Sequence, residues 1–154
     1  MARYTVPFTQ QGYDKMKHEL AEHETKRPAI VEELRRASEM GDRSENAAYK
    51  VGRRKLSQTD SRIRFLKKTL DHAIIAEAMQ SEFVVIGSIV KVHNGAKEVT
   101  FQIVGEHEAD PVNAKLSFRS PVGQALLRKR VGDVVAITIP SGLMEYKILA
   151  ISLA

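Results

Sequence analysis

The sequence predicts an α+β protein: an N-terminal antiparallel coiled-coil hairpin over residues 1–80, then a C-terminal antiparallel β-sheet domain with one short helix over residues 81–154. Three observations carry this reading. Apolar residues step alternately by three and four through the first half of the chain, which is the seam of a heptad repeat. The stepping is interrupted once, by a short turn at Met40 to Ser44. After Ala76 the period changes to two, the alternation of a half-buried strand.

The first helix is read from Tyr13, Met16, Leu20, His23, Arg27, Ile30, Leu34 and Ala37. The second is read from Tyr49, Gly52, Leu56, Thr59, Ile63, Leu66, Leu70 and Ala73. Two matched amphipathic helices joined by a few residues must lie antiparallel, so Met40 to Ser44 becomes the tip of a hairpin. At about 1.5 Å per residue, Gln10 to Glu39 gives an arm on the order of 45 Å long. The seam has weak places: His23, Arg27, Gly52 and Thr59 pack poorly. Pro28 removes a backbone donor inside the first helix at a cost of roughly 3 kcal/mol, so a kink or local loosening is expected there.

Four runs rich in Val, Ile, Phe and Thr read as strands: 87–94, 98–106, 133–139 and 144–152. "NGAK" and "PSGL" supply turn residues between paired runs. Between them, residues 120–130 open with Ser120 as N-cap and Pro121 at the first helical position, then place Val122, Ala125 and Leu126 on one face. This is a short helix packed on the sheet. Residues 78–83 read as the linker, with the domain boundary near Gln80.

Composition narrows the function classes. No apolar run approaches the roughly 18 residues of a membrane span, and no apolar leader follows the N-terminus, so a cytoplasmic address is expected. With no cysteine, disulfides and thiolate metal sites are excluded, and His18, His23, His72, His93 and His107 have no close metal-ligand spacing. Any bound metal must be held by oxygen. The net charge of +5 hints at a polyanionic partner. Its distribution is uneven: from Arg43 to Lys68 a crowd of Lys and Arg faces only Glu45 and Asp60.

The tip, "GDRSENAAY" (41–49), carries the chemistry that the rest lacks. Asp42 suits a helix N-cap, with Glu45 reaching back to close a capping box. The same two carboxylates, three residues apart at the end of an arm, suit a shared hard cation such as Mg²⁺, which takes one or two carboxylates together with phosphate oxygens. Two acids are too few to hold magnesium tightly alone, so the site is half of one completed by a partner. Two-metal phosphodiester hydrolysis has a place for such a half-site. Lys50, Arg53 and Arg54 follow closely enough to grip a nucleic-acid backbone without reading its sequence, or to form an ordinary solvated helix face. Tyr49 reads as a seam residue.

At these residues the chain resembles the bacterial transcript-cleavage factors of the GreA/GreB type. The resemblance spans the whole chain: T-x-x-G-Y-x-K-x-K-x-E-L at Thr9 to Leu20, "KRP" at 26–28, the tip, "IVG" at 103–105 with "EAD" at 108–110, and "SP" with "ALL" at 120–127. Pro28 belongs to the family pattern. "DRSENA" followed by Arg53 and Arg54 is more similar to GreB than to GreA.

The resemblance implies a C-terminal domain of FKBP-like fold and a transcription elongation factor without catalytic activity of its own. It implies a hairpin inserted through the secondary channel of RNA polymerase, where Asp42 and Glu45 help to place a shared Mg²⁺ for endonucleolytic cleavage of backtracked RNA. It further implies that Arg53 and Arg54 contact that RNA near its 3′ end, where Lys50 is read as part of the same RNA-binding surface, and that Ser120 and Pro121, with Arg119 just before them, lie in the loop docking on the polymerase rim. Relatives often carry an acidic or neutral polar residue where Arg119 stands, and a cation there opposes docking onto a basic surface. The alternative within this class is a channel-binding inhibitor that does not cleave. A prolyl isomerase or chaperone finds little in the sequence, with no Trp and few aromatics to line a pocket. The imperfect seam makes a poor self-association surface, so a monomer is expected.

Overall fold

The structure, a computed structural model, describes residues 4–77 and 81–153. The chain forms two compact units, Asp14–His72 and the pair of segments Met1–Tyr13 with Ala73–Ala154. The sequence division into 1–80 and 81–154 assigns the first segment to the hairpin; by compactness it groups with the sheet instead. Gln80, where that cut was expected, lies outside the described residues, as do 78 and 79 of the expected linker.

Helices α1 (Gln10–Ser38) and α2 (Ala47–Asp71) form the hairpin. Met16, Ile30 and Ala37 of α1 and Thr59, Ile63, Leu66 and Thr69 of α2 are buried. Leu66 is wholly buried, and an apolar side chain of that size contributes roughly 2 kcal/mol by leaving water. Ion pairs between the helices show their direction: Glu24 meets Lys67 at 2.7 Å, Arg27 meets Asp60 at 2.6 Å, and Glu33 meets Lys55 at 3.4 Å. Over these three pairs residue numbers rise on one helix as they fall on the other, and Gly52 against Leu34 and Asn46 against Ala37 continue the trend, so the pair is antiparallel.

The weak seam positions resolve individually. Arg27 turns out to the exposed edge and grips Asp60 through Nε and Nη2. Gly52 faces Leu34 so closely that an added Cβ would stand 3.2 Å from Leu34 Cδ1. Thr59 is buried with its hydroxyl donated to the Lys55 carbonyl at 2.9 Å, which meets the need of a buried polar group for a partner. α1 remains one helix on both sides of Pro28, so the proline's missing donor does not interrupt it. The Arg27 ion pair and the burial of Ile30 brace that stretch.

The other unit is built on a five-stranded sheet in the order β5-β4-β3-β7-β6. Its strands are β3 (Ser88–His93), β4 (Glu98–Val104), β5 (Lys115–Ser117), β6 (Val134–Ile139) and β7 (Gly142–Leu153). Four of these are the expected strands, paired antiparallel. β5 is an addition and lies parallel to β4, so the sheet is mixed rather than wholly antiparallel. At three residues β5 is too short to display a period. Helix α3 (Pro121–Leu126) forms where expected: Ser120 Oγ accepts from the Gly123 amide at 3.0 Å, and Pro121 occupies the first turn. Leu126 drops into the core with Val84, Val90, Val92, Ile103, Val135, Ile137, Tyr146 and Ile148.

A two-stranded parallel sheet was not foreseen. β1 (Val6–Phe8) pairs with β2 (Ala73–Ile75), so the segments entering and leaving the hairpin run side by side. The heptad reading carried the second helix to Ala73, but α2 ends at Asp71 with His72 as its cap, and Ala73 already belongs to β2. Phe8 is fully buried, stacked on His107 and set edge-on to Tyr13. Glu108 fixes the corner: its carboxylate accepts from the Thr9 amide at 2.9 Å, the Gly105 amide at 3.0 Å and the Thr9 hydroxyl. Gly105 allows this approach, because a Cβ there would stand 2.2 Å from the Pro7 carbonyl oxygen. No helix among the described residues is long and apolar enough to cross a membrane.

Gly105→Ala is expected to destabilise the sheet unit by about 1–3 kcal/mol, the usual range for forcing a methyl into packed backbone, read as a lower urea midpoint by near-UV signal. The hairpin is expected to lose stability in acid. Arg62 holds Glu19 below the usual carboxylate value, Arg27 does the same for Asp60, and Arg35 with Arg36 lowers Glu32 to about 2. A depressed folded pKa stabilises above the unfolded value and is lost as pH falls through the folded one. The melting temperature is therefore expected to be flat down to about pH 5 and to drop from there towards about pH 2, with a shallower slope in about 1 M salt.

Candidate functional site at the hairpin tip

Eight residues separate α1 from α2, and their hydrogen bonds determine which side chains remain available. Arg35 and Arg36 end α1, where cations suit the negative end of the helix dipole. The amides of Glu39 and Met40 then turn back on the carbonyls of Arg36 and Ala37. Gly41 sits at φ +112°, a conformation that a side chain resists, and it lets the chain reverse. Asp42 Oδ1 accepts from both the amide and the hydroxyl of Ser44 at 2.9 Å, closing a local turn.

The cap of α2 is Asn46, not Asp42. Asn46 Oδ1 accepts from the Tyr49 amide at 3.1 Å, while its Nδ2 donates to the Ala37 carbonyl at 2.6 Å. A carboxylate only accepts, whereas an amide both accepts and donates, so asparagine alone of these candidates can serve both helix ends. The expected capping box between Asp42 and Glu45 is absent because α2 starts at Ala47, beyond both acids.

The acids are thereby left for other work. Both are exposed. The Ser44 amide and then its hydroxyl hold the Asp42 carboxyl below its usual value, so it is ionised throughout the neutral range. Its Oδ2, and the whole Glu45 carboxylate, have no hydrogen-bond or ion-pair partner among the described residues. Oxygen donors of this kind fit magnesium. No group of three or more His, Cys, Asp or Glu that could hold a metal occurs among the described residues.

Some cations of α2 are paired with acids of α1, and others, Arg64 and Lys68 far from the tip included, are in none of these pairs. Lys55, Arg62 and Lys67 are tied to Glu33, Glu19 and Glu24 across the hairpin. Lys50, Arg53 and Arg54 are exposed and carry no ion pair among the described residues. Arg43 lies over the Tyr49 ring with 5.7 Å between guanidinium and centroid, and Tyr49 is half-buried, as a seam residue should be.

In the sheet unit, the three residues expected to dock are placed in a row. Ser120 is taken up by structure: besides capping α3 it donates to the Ser117 carbonyl at 2.7 Å. Pro121 is exposed. Arg119 is paired with Glu106 at 3.1 Å and lies over the Phe118 ring. The charge expected to oppose docking is therefore partly neutralised by Glu106.

Two family models cover nearly all of this chain: "Transcription elongation factor, N-terminal" matches residues 6–75, and "Transcription elongation factor, GreA/GreB, C-term" matches residues 79–153. The transcription elongation factor GreA of Thermosipho africanus is 36% identical, over 99% of this chain and 100% of its own. The chain belongs to the GreA/GreB family of transcription elongation factors. GreA of Clostridium beijerinckii is 41% identical, with 94% of each chain covered. The solved Gfh1, GreA factor homolog 1, of Thermus thermophilus is 27% identical over 97% of this chain and 99% of its own, with a TM-score of 0.47. These curated relatives are GreA proteins, and they give no support to the expected leaning towards GreB.

Within this GreA/GreB chain, the functional-site reading missed Asn46. Its signal was present, since Asn is among the best N-caps and Ala47–Ala48 begin a helix well. The D-x-x-E pattern drew the cap four residues too early. Ser44→Ala is expected to raise the Asp42 pKa without restoring it fully to the usual value, because the larger cause, the Ser44 backbone amide, remains. Side-chain carboxyl ¹³C shifts followed through an acid titration measure it.

Proposed function

We propose that this elongation factor acts on bacterial RNA polymerase in the cytoplasm as a monomer, inserting the hairpin tip through the secondary channel to stimulate cleavage of backtracked RNA. The protein is a cofactor of the polymerase in this reading and performs no chemistry alone. The observation that carries the proposal is the release of both tip carboxylates from helix capping, beside cations that the hairpin leaves unpaired. Family membership supports it, because the members matched here are elongation factors.

In the assembled site, Asp42 and Glu45 would supply oxygen ligands to a magnesium ion shared with the polymerase. That ion, when bound, supplies Lewis-acid stabilisation of charge developing on phosphate oxygens. Lys50, Arg53 and Arg54 hold the RNA backbone near its 3′ end by charge, without regard to sequence. The loop at Arg119, Ser120 and Pro121 rests on the polymerase rim, with Glu106 offsetting the arginine's charge.

The test is a backtracked bacterial elongation complex incubated with the protein and with Asp42→Ala, Glu45→Ala and the double variant. Each single loss is expected to slow RNA cleavage on the order of 10²-fold, the scale of removing one charge-placing group. The double loss is expected to be little worse, because the two act as one unit. Full cleavage by the variants removes the proposal. Slowed nucleotide addition with no short RNA product from the unaltered protein would favour the inhibitor instead.

A further inference from the structure

The bonds that close the tip loop pass through one side chain. Asn46 is half-buried; its Nδ2 donates to the Ala37 carbonyl at the end of α1, and its Oδ1 accepts from the Tyr49 amide at the start of α2. Everything between Ala37 and Asn46, including both acids, is therefore a loop closed by the first of these bonds. Inside the loop, Asp42 is fixed to Ser44, but Glu45 has no side-chain partner among the described residues. The place of Glu45 is inherited from its chain neighbour.

Resting on the function proposed above, we infer that Asn46 is a positioning residue for the tip acids: it closes the loop across the two helix ends and so presents Asp42 and Glu45 as a pair. Three physical points carry this. The Ala37 carbonyl is one of the unsatisfied groups at a helix C-terminus, so the amide supplies a bond that the helix cannot make for itself. A loop closed at its neck samples fewer arrangements than one hinged at a single end. Two ligands that must reach one ion lose effectiveness steeply when either is displaced by about an ångström.

The chemistry also selects the variants. Aspartate and serine are good N-caps, so Asn46→Asp and Asn46→Ser retain an oxygen for the Tyr49 amide. Neither supplies the amide donor to Ala37: the carboxylate faces the carbonyl oxygen with like charge, and the serine side chain is one group shorter.

The experiment measures RNA cleavage in backtracked bacterial elongation complexes. Factor and Mg²⁺ concentrations are varied separately for the full-length protein, Asn46→Asp, Asn46→Ser, Asp42→Ala and Glu45→Ala. Far-UV circular dichroism at the assay temperature is recorded for each. For both Asn46 variants the expected result is unchanged helicity, a half-saturating factor concentration within about twofold of the original, and a maximal cleavage rate at least about fivefold lower, the factor corresponding to one net hydrogen bond. The Mg²⁺ concentration for half-maximal cleavage is expected to rise.

Unchanged maximal cleavage and Mg²⁺ dependence in the Asn46 variants, with both acid variants impaired, overturns the positioning role and leaves the proposed function standing. A defect rescued by saturating factor, or a loss of helicity in both variants, also overturns it, since Asn46 would then act through binding or folding. Normal cleavage by the acid variants instead overturns the function on which the inference rests.

Discussion

The hairpin depends on satisfying the loose ends of two helices at a sharp reversal. A helix leaves carbonyls unpaired at one end and amides unpaired at the other, and an antiparallel pair brings one end of each kind together. The side-chain amide of Asn46 answers both, with its nitrogen on Ala37 and its oxygen on Tyr49. Because a neutral residue does this structural work, the two acids of the loop are not drawn into the cap. The caps leave the tip with two carboxylates outside them.

Along the hairpin the charges follow a related division. Ion pairs between exposed side chains contribute little individually, typically under about 1 kcal/mol, but those at Glu19, Glu24, Arg27 and Glu33 join the two helices at several points along the hairpin. They tie down Lys55, Arg62 and Lys67, while Lys50, Arg53 and Arg54 near the tip carry no ion pair among the described residues. The same sequence run thus serves cohesion over one part of its length and an outward field over another. In the sheet unit, Glu106 performs the opposite service by compensating Arg119.

Long periodic segments were legible in the sequence. The heptad steps gave both helices, and alternation gave four strands, because each has enough residues to repeat its pattern. Ser120 and Pro121 gave α3 because their cap chemistry is local. The three-residue strands β1, β2 and β5 were not legible: they are defined by partners distant in sequence. The Glu108 corner was hidden for the same reason, since it joins Thr9 and Gly105 through one carboxylate. At the tip, the identity of the acids was readable, but their availability was not. Asp42 and Glu45 fit a capping box by spacing, and only the position of the α2 start, one residue beyond Asn46, decides against it.

The parallel ladder of β1 on β2 has an evolutionary consequence when set beside the loop at the other end of the helices. Val6 lies opposite Ala73 and Phe8 opposite Ile75, so α1 departs from, and α2 returns to, a common baseline. With both extremities anchored, neither helix is free to change length alone: a heptad inserted into one must be matched by a heptad in the other, or an anchor must break. Insertions and deletions in this arm are therefore constrained to arise as compensated pairs, and the reach of the tip can evolve only in steps taken by both helices together.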